Sequence, residues 1–268
     1  MTKQEAKKFS RSIEQNRRRF AAARMYCERS ALAAAGVPRH PRNHGRILCY
    51  HSVGQPNFGV NDVAPKRFRR HIELALSLGY RFVPAGEIAR TGGGAKDLAL
   101  TFDDAAKTVL SEAAPILKEF GAPYTVFAVS EWADHADDWR RREILNWQGL
   151  EQLMSMGAEL GSHSASHSDF GVIDEAKMRY ELEDSRHKFK RHLGFLPETF
   201  AIPLGQSRNW NDTASRLARE AGYTTIYAQA EQTRPEGTIA RTFVTHFDGD
   251  LIFGALLRGA YDRWEEWV

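Results

Sequence analysis

The chain is poor in the features that would place it outside the ordinary globular proteins. Only two cysteines occur among its 268 residues, Cys27 and Cys49, in no ligand-like spacing. That argues against a disulfide framework and fits a reducing compartment. No run approaches the roughly 18 consecutive apolar residues of a membrane span. The first stretch, MTKQEAKKFSRSIEQNRRRF, lacks the apolar centre of a secretory signal, so a cytoplasmic location is expected. Internal repeats and low-complexity tracts are missing as well. TGGGAKD at 91–97 has the glycines of a phosphate cradle, but no Lys-Ser/Thr follows and a strand pattern comes next, so it reads as a turn.

Net charge is small overall but unevenly placed. The net charge is +3, yet residues 1–46 hold 12 Lys/Arg against 3 Asp/Glu, or +9, which leaves 3 − 9 = −6 for residues 47–268. The basic character belongs to an N-terminal extension. Its apolar positions Phe9, Ile13, Phe20, Ala23, Cys27, Ala31 and Ala34 recur at helical steps, so residues 3–35 are expected to form one or two amphipathic helices. Gly36 and Pro38 end the pattern. The chain divides into a basic helical extension, 1–45, and a body, 46–268. The extension is a candidate for contact with a membrane surface or for an oligomer contact. A nucleic-acid partner is not expected, because no groove-reading or base-stacking element accompanies NRRRF.

In the body, short apolar runs alternate with helical patterns. Strands are expected at 46–51, 98–102, 123–129, 158–162, 199–203, 223–228 and 238–244, and helices near 65–78, 107–120, 148–156, 174–192, 211–221 and 250–259. Such alternation predicts an α/β protein with a mainly parallel sheet buried on both faces, a barrel or a doubly wound sheet. In either form the chemistry gathers at the C-terminal strand ends. Five of these ends carry polar or ionisable residues: His51, Asp103 with Asp104, His163, the LGQSRN segment, and His246 beyond the last strand.

His163 and His167, in GSHSASHSDF, stand four apart with small residues between them. Such a pair can converge on one metal ion but arises easily by chance. The adjacent Asp103 and Asp104 alter the balance, since two histidines and one carboxylate form a hydrolytic metal set, with the second carboxylate free to accept a proton. Capping the following helix would occupy only one aspartate.

With these motifs in hand, the chain resembles the polysaccharide deacetylases, the NodB-homology or carbohydrate esterase family 4 group. LALTFDDA, GSHSASH, TFAIPLG and ILCYHSVG carry the resemblance, and it extends over about residues 46–258. It implies a distorted (β/α)7-type barrel binding one divalent ion, most often zinc, with cobalt, nickel or manganese as alternatives. By motif position it implies Asp104, His163 and His167 as metal ligands and Asp103 as catalytic base. The implied reaction is hydrolysis of an N-acetyl group on an amino sugar, with the oxyanion met by the backbone N–H of Leu204 after Pro203.

The chain departs from the family text in three places. Ala105 stands where a glycine commonly follows the aspartates. Ala201 occupies the position of the arginine that steadies the base; Arg241, inside a predicted rim strand, is the expected substitute, ahead of Arg208. The late leucine-x-histidine motif lacks its leucine, which leaves His246 either the general acid or a loop histidine, with His51 the other candidate to approach the site. Among the tryptophans, Trp132, Trp139 and Trp147 suit packing, while Trp210, just past the oxyanion loop, is expected to face substrate. The expected substrate is an N-acetylated sugar of an oligosaccharide or glycoconjugate precursor, lipid-linked sugars included. Hydrolysis of a non-sugar amide and carbohydrate binding without turnover remain as alternatives.

Overall fold

The computed structural model describes residues 20–35, 43–135, 137–229 and 233–262. The remainder of the expected N-terminal helix and residues 36–42, which follow it, lie outside them.

Seven parallel strands close into a barrel: β1 (Arg46–Tyr50), β5 (Asp97–Phe102), β6 (Tyr124–Ala128), β7 (Glu159–Ser162), β8 (Thr199–Ala201), β9 (Thr225–Gln229) and β10 (Ile239–Phe243). Closure comes from β1, which pairs with β5 on one side and β10 on the other. Three short strands complete the set. β2 (Ser52–Val53) pairs with β3 (Asp62–Val63), and β4 (Arg81–Phe82) pairs with the beginning of β5, at Asp97 and Leu98. The seven expected strands are all present, with ends shifted by up to two residues, and the (β/α)7-type barrel is borne out.

Helix α1 covers residues 20–35. α2 (Pro65–Ser77), α3 (Ala85–Thr91), α4 (Ala114–Glu119), α5 (Ser130–Ala133), α6 (Asp138–Glu143), α7 (Trp147–Ser155), α8 (Glu175–Leu193), α9 (Asp212–Ala221) and α10 (Asp250–Leu257) follow. Capping chemistry explains several ends. Asn146, Asp174 and Asn211 each accept a bond from a backbone N–H of the first turn, and α8 and α9 stop at Gly194 and Gly222 in the left-handed conformation. The expected helix at 107–120 starts helical at Lys107 and Thr108, passes through a π-turn over Val109–Ala113 and continues as α-helix from Ala114.

Strand alternation dictates the barrel interior. Ile47, Ala99, Phe127, Ala201 and Tyr227 form one buried cluster with Val83, Ala85 and Ile88, so α3 plugs the bottom of the barrel. Two residues further along the strands, the inward row becomes polar: Cys49, Thr101 and Arg241. The next step brings His51, Asp103 and Phe243 to the rim, where all three line a cavity of about 1470 Å³. A strand interior of period two thus carries Asp103 from the buried row to the end that opens to solvent.

Candidate active site

Asp103 continues the inward row of β5. Its carboxylate accepts two bonds from Arg241, at 2.6 Å from Nη1 to Oδ1 and 2.8 Å from Nη2 to Oδ2. Both residues are buried. The fork-to-carboxylate pairing fixes the orientation of the Asp103 carboxylate as well as its charge. Cys49 Sγ, 3.4 Å away, donates to Oδ2, and the Arg241 guanidinium lies over the Phe127 ring at 5.3 Å. Burial by itself would raise the Asp103 pKa. The charges of Arg241 and His163 and the Arg241 hydrogen bonds outweigh it and hold the carboxyl well below the usual carboxylate range. Burial also pushes the Cys49 thiol well up, so it remains a neutral donor.

Asp104 leaves the strand with φ 66°. This left-handed turn takes its carboxylate off the strand alternation, and Oδ1 stands 3.8 Å from His163 Nε2 and 3.6 Å from His167 Nε2. His163 Nδ1 donates to the Ala201 carbonyl at 2.8 Å, which leaves the Nε2 lone pair facing Asp104. Burial lowers the His163 pKa to about 4, so the imidazole is neutral and competent as a ligand. The donors of Asp104, His163 and His167 all lie within 4.8 Å of one another.

These three residues fit a metal ion. Asp104 Oδ1 is buried with no hydrogen-bond partner, a costly arrangement for a carboxylate oxygen unless a cation satisfies it. The 3.6 and 3.8 Å separations are close to the ~3.4 Å edge of a tetrahedron with bonds of about 2.1 Å. A set of one carboxylate and two imidazoles suits zinc and its neighbours in the first transition row better than calcium or magnesium.

Backbone conformation marks the same place. Among the described residues, six other than glycine have positive φ, and five of them, Asp104, Ala105, Ser164, His167 and Leu204, belong to three rim segments. Each costs on the order of 1–2 kcal/mol, and such strain concentrates where geometry serves a site. Ala105, at φ 56°, occupies a conformation natural to glycine. The loop 163–167 is tied down by bonds that no local sequence pattern signals. Fully buried Glu181 on α8 accepts from Ser166 N at 2.7 Å, from Ser168 Oγ at 2.9 Å and from Lys177 Nζ at 2.9 Å, while His167 N donates to Ser164 Oγ at 2.9 Å. Trp132 stacks on the His167 ring, 5.2 Å between centroids.

The other expected site residues divide. His51 lines the cavity, its Nδ1 is buried without a partner, and burial lowers its pKa. Leu204 lines the cavity at φ 64° with its side chain half exposed, and Pro203 is buried behind it. His246 reaches the cavity on a loop; its N–H donates to Val60 O at 2.9 Å and its Nδ1 lies 3.2 Å from Gly59 O. Trp210 requires correction. It is buried among Phe170, Phe200 and Tyr223, its Nε1 donates to Ser215 Oγ at 2.8 Å, and it lines no part of the cavity. The turn at Ser207–Asn209 directs it down between α8 and α9 instead of up to the rim. Position soon after Pro203 and Leu204 was a poor guide because a large ring with one donor is better served by the apolar core.

A parallel barrel with an Asp/His/His set and a guarded aspartate at its C-terminal rim has the layout of a hydrolase. A family model for polysaccharide deacetylases matches residues 90–226, and the chain belongs to that family. It is 22% identical over 182 residues to YxkH of Bacillus subtilis (strain 168), a polysaccharide deacetylase by name, covering 66% of this chain and 61% of that protein. Among solved structures, the Streptococcus pyogenes deacetylase PplD in complex with acetate superposes with a TM-score of 0.68 at 20% identity, over 80% of this chain and 97% of that one. IcaB from Ammonifex degensii gives 0.66 at 21%, over 82% and 97%. The two structures share the barrel with this chain.

Proposed function

We propose that this chain is a metal-dependent deacetylase that removes the N-acetyl group from an amino sugar within an oligosaccharide or glycoconjugate. The observation that carries the reading is the placement of two carboxylates with separate surroundings at one rim: Asp104, short of a partner and within reach of His163 and His167, and Asp103, locked by Arg241. Asp104, His163 and His167 would hold one divalent ion, for which zinc is the best match. When bound, it supplies Lewis acidity toward the acetamide carbonyl and toward water.

The protein's own groups divide the remaining work. Asp103, ionised by its neighbours, accepts the proton of the attacking water, and Arg241 keeps that carboxylate aimed. Leu204 lines the cavity, and its backbone N–H would meet oxygen charge as the carbonyl becomes tetrahedral. His246, also on the cavity, is the candidate to protonate the departing amine. His51 is half-buried, and desolvation lowers its pKa, which suits orientation better than acid catalysis.

The decisive experiment measures bound metal in the purified protein and acetate release from a panel of N-acetylated sugars, for the natural chain and Asp103→Asn. Stoichiometric metal with acetate release that disappears in the variant supports the reading. Metal without acetate from any sugar transfers the assignment to a non-sugar amide or to carbohydrate binding without turnover.

A further inference from the structure

Helix α1 is built into the wall of the cavity that opens from Asp103. Ala21, Ala22 and Met25, one face of one turn, line it together with Phe58, Asn61 and Arg67. The volume of about 1470 Å³ exceeds the ~300–1,000 Å³ that encloses a typical small ligand. One N-acetyl sugar at the rim leaves much of this space to be filled.

The helix is fastened there. Arg29 and Asp248 are both fully buried, and Arg29 donates from Nε to Oδ1 at 2.8 Å and from Nη2 to Oδ2 at 2.5 Å. The guanidinium lies 4.4 Å over the Tyr261 ring, and Tyr261 Oη donates to the Arg29 carbonyl at 2.7 Å. The same Asp248 carboxylate accepts from Thr245 N and Thr245 Oγ1, each at 3.0 Å, so it also closes the loop that bears His246. Tyr26 packs on Phe247 of that loop at 5.3 Å. One ion pair therefore sets both the wall helix and the His246 loop. The superposed PplD structure is matched over 97% of its length but accounts for 80% of this chain, so this chain carries material beyond the shared barrel.

The lining has mixed chemistry. Small apolar side chains of α1 share the cavity with the amides of Asn57 and Asn61 and the cations of Lys66 and Arg67. A pyranose ring, with apolar C–H faces and a hydroxyl rim, satisfies both kinds of wall, whereas an alkyl chain would desolvate amides and cations without replacing their hydrogen bonds. We propose that α1 is a specificity-determining element. It bounds a subsite for the sugar units continuing beyond the one that loses its acetyl group, and Arg29 is a positioning residue that holds this wall in register with the His246 loop. The proposal rests on the deacetylase reading of the rim.

The test uses metal-loaded full-length protein and N-acetylglucosamine oligomers of one to six units. Its readout is the ratio of kcat/KM on the hexamer to that on the dimer, from which any loss of active protein cancels. The natural chain is expected to favour the hexamer about tenfold. Ala22→Trp is expected to bring the ratio near one by raising KM for the long substrate at unchanged kcat, and Arg29→Met to lower it at least threefold, with Arg29→Lys between. An active natural chain whose ratio is near one, or whose ratio neither variant moves, overturns the inference alone. A tenfold gain from an octyl aglycone over the matching oligomer overturns it in favour of an apolar chain on the wall. Absence of acetate from every sugar overturns the deacetylase reading, and the inference with it.

Discussion

Asp103 is held from within the barrel: Arg241 from β10, Cys49 from β1 and the ring of Phe127 from β6 enclose it, all buried and all on strands. His246 shares the same cavity but is held from outside, through backbone contacts to Gly59 and Val60 and through a loop that α1 pins by way of Asp248. The difference separates two tasks. A base that must stay ionised inside low-dielectric surroundings needs a fixed counter-charge, because a buried carboxylate without one would take up a proton. If His246 is the acid, as proposed, a loop suits it, because it meets a leaving group of variable position.

The largest expected effect is on the strand-held side. Asp103→Asn keeps the shape and removes the proton acceptor, so kcat should fall by about 10³-fold with metal content unchanged, measured by acetate release and metal analysis. His246→Gln tests the loop-held side. If His246 protonates the amine, kcat should fall about 10²-fold, measured by acetate release; an unchanged kcat would make it a loop histidine.

Arg241→Gln attacks the counter-charge itself. A buried ion pair that loses one partner costs about 3–5 kcal/mol, readable by denaturant unfolding. The sign of its pH effect follows from the depressed Asp103 pKa. In the natural chain this carboxylate contributes stability above the ordinary carboxylate range, and that contribution is lost as pH falls through the lower folded-state value. Without Arg241 the folded-state pKa rises, so the acid limb of kcat should move to higher pH and the acid stability gained at Asp103 should vanish. An acid limb that stays in place would show that Arg241 does not tune the base.

Two smaller effects concern the rim loops. Glu181→Gln removes the charge that gathers Ser166, Ser168 and Lys177 under the histidine loop. It should weaken metal affinity about 10–100-fold, measured by calorimetric titration, with less effect on kcat at saturating metal. Ala105→Gly relieves a left-handed alanine at φ 56° and should raise stability by about 1 kcal/mol, read as a higher unfolding midpoint. A lower midpoint would show that the buried methyl outweighs the strain.

Much of the barrel could be read from the chain because its signals are local. Apolar runs of strand length between amphipathic helices require only neighbours in sequence to be recognised. β4 and α3 escaped notice because a two-residue strand has no period and α3, AGEIART, has few apolar positions. At the rim, Asp103, Asp104, His163 and His167 were visible through spacing and position after strands. Arg241 was visible too, since β10 alternation turns it inward two residues before the rim. Glu181 and Arg29 carried no comparable signal. Each is one charge in a charged helix, and only its distant partner, across 15 residues for Ser166 and 219 for Asp248, distinguishes it from a solvated side chain. Trp210 misled for the converse reason, because proximity in sequence to a catalytic loop says nothing about which side of a turn a ring takes.

The sequence by itself determined the strand order of events along the chain, the inward row of each strand and the donor types gathered at the strand ends, since these follow from period-two alternation and side-chain chemistry. Tertiary structure alone decided the two-pronged pairing that guards Asp103 and the buried, partnerless Oδ1 that leaves Asp104 open. It also decided that the basic N-terminal helix forms part of the cavity wall. Both depend on contacts between segments far apart in the chain, Arg241 with Asp103 and Arg29 with Asp248, and a buried charge becomes stable only when folding brings its partner to it.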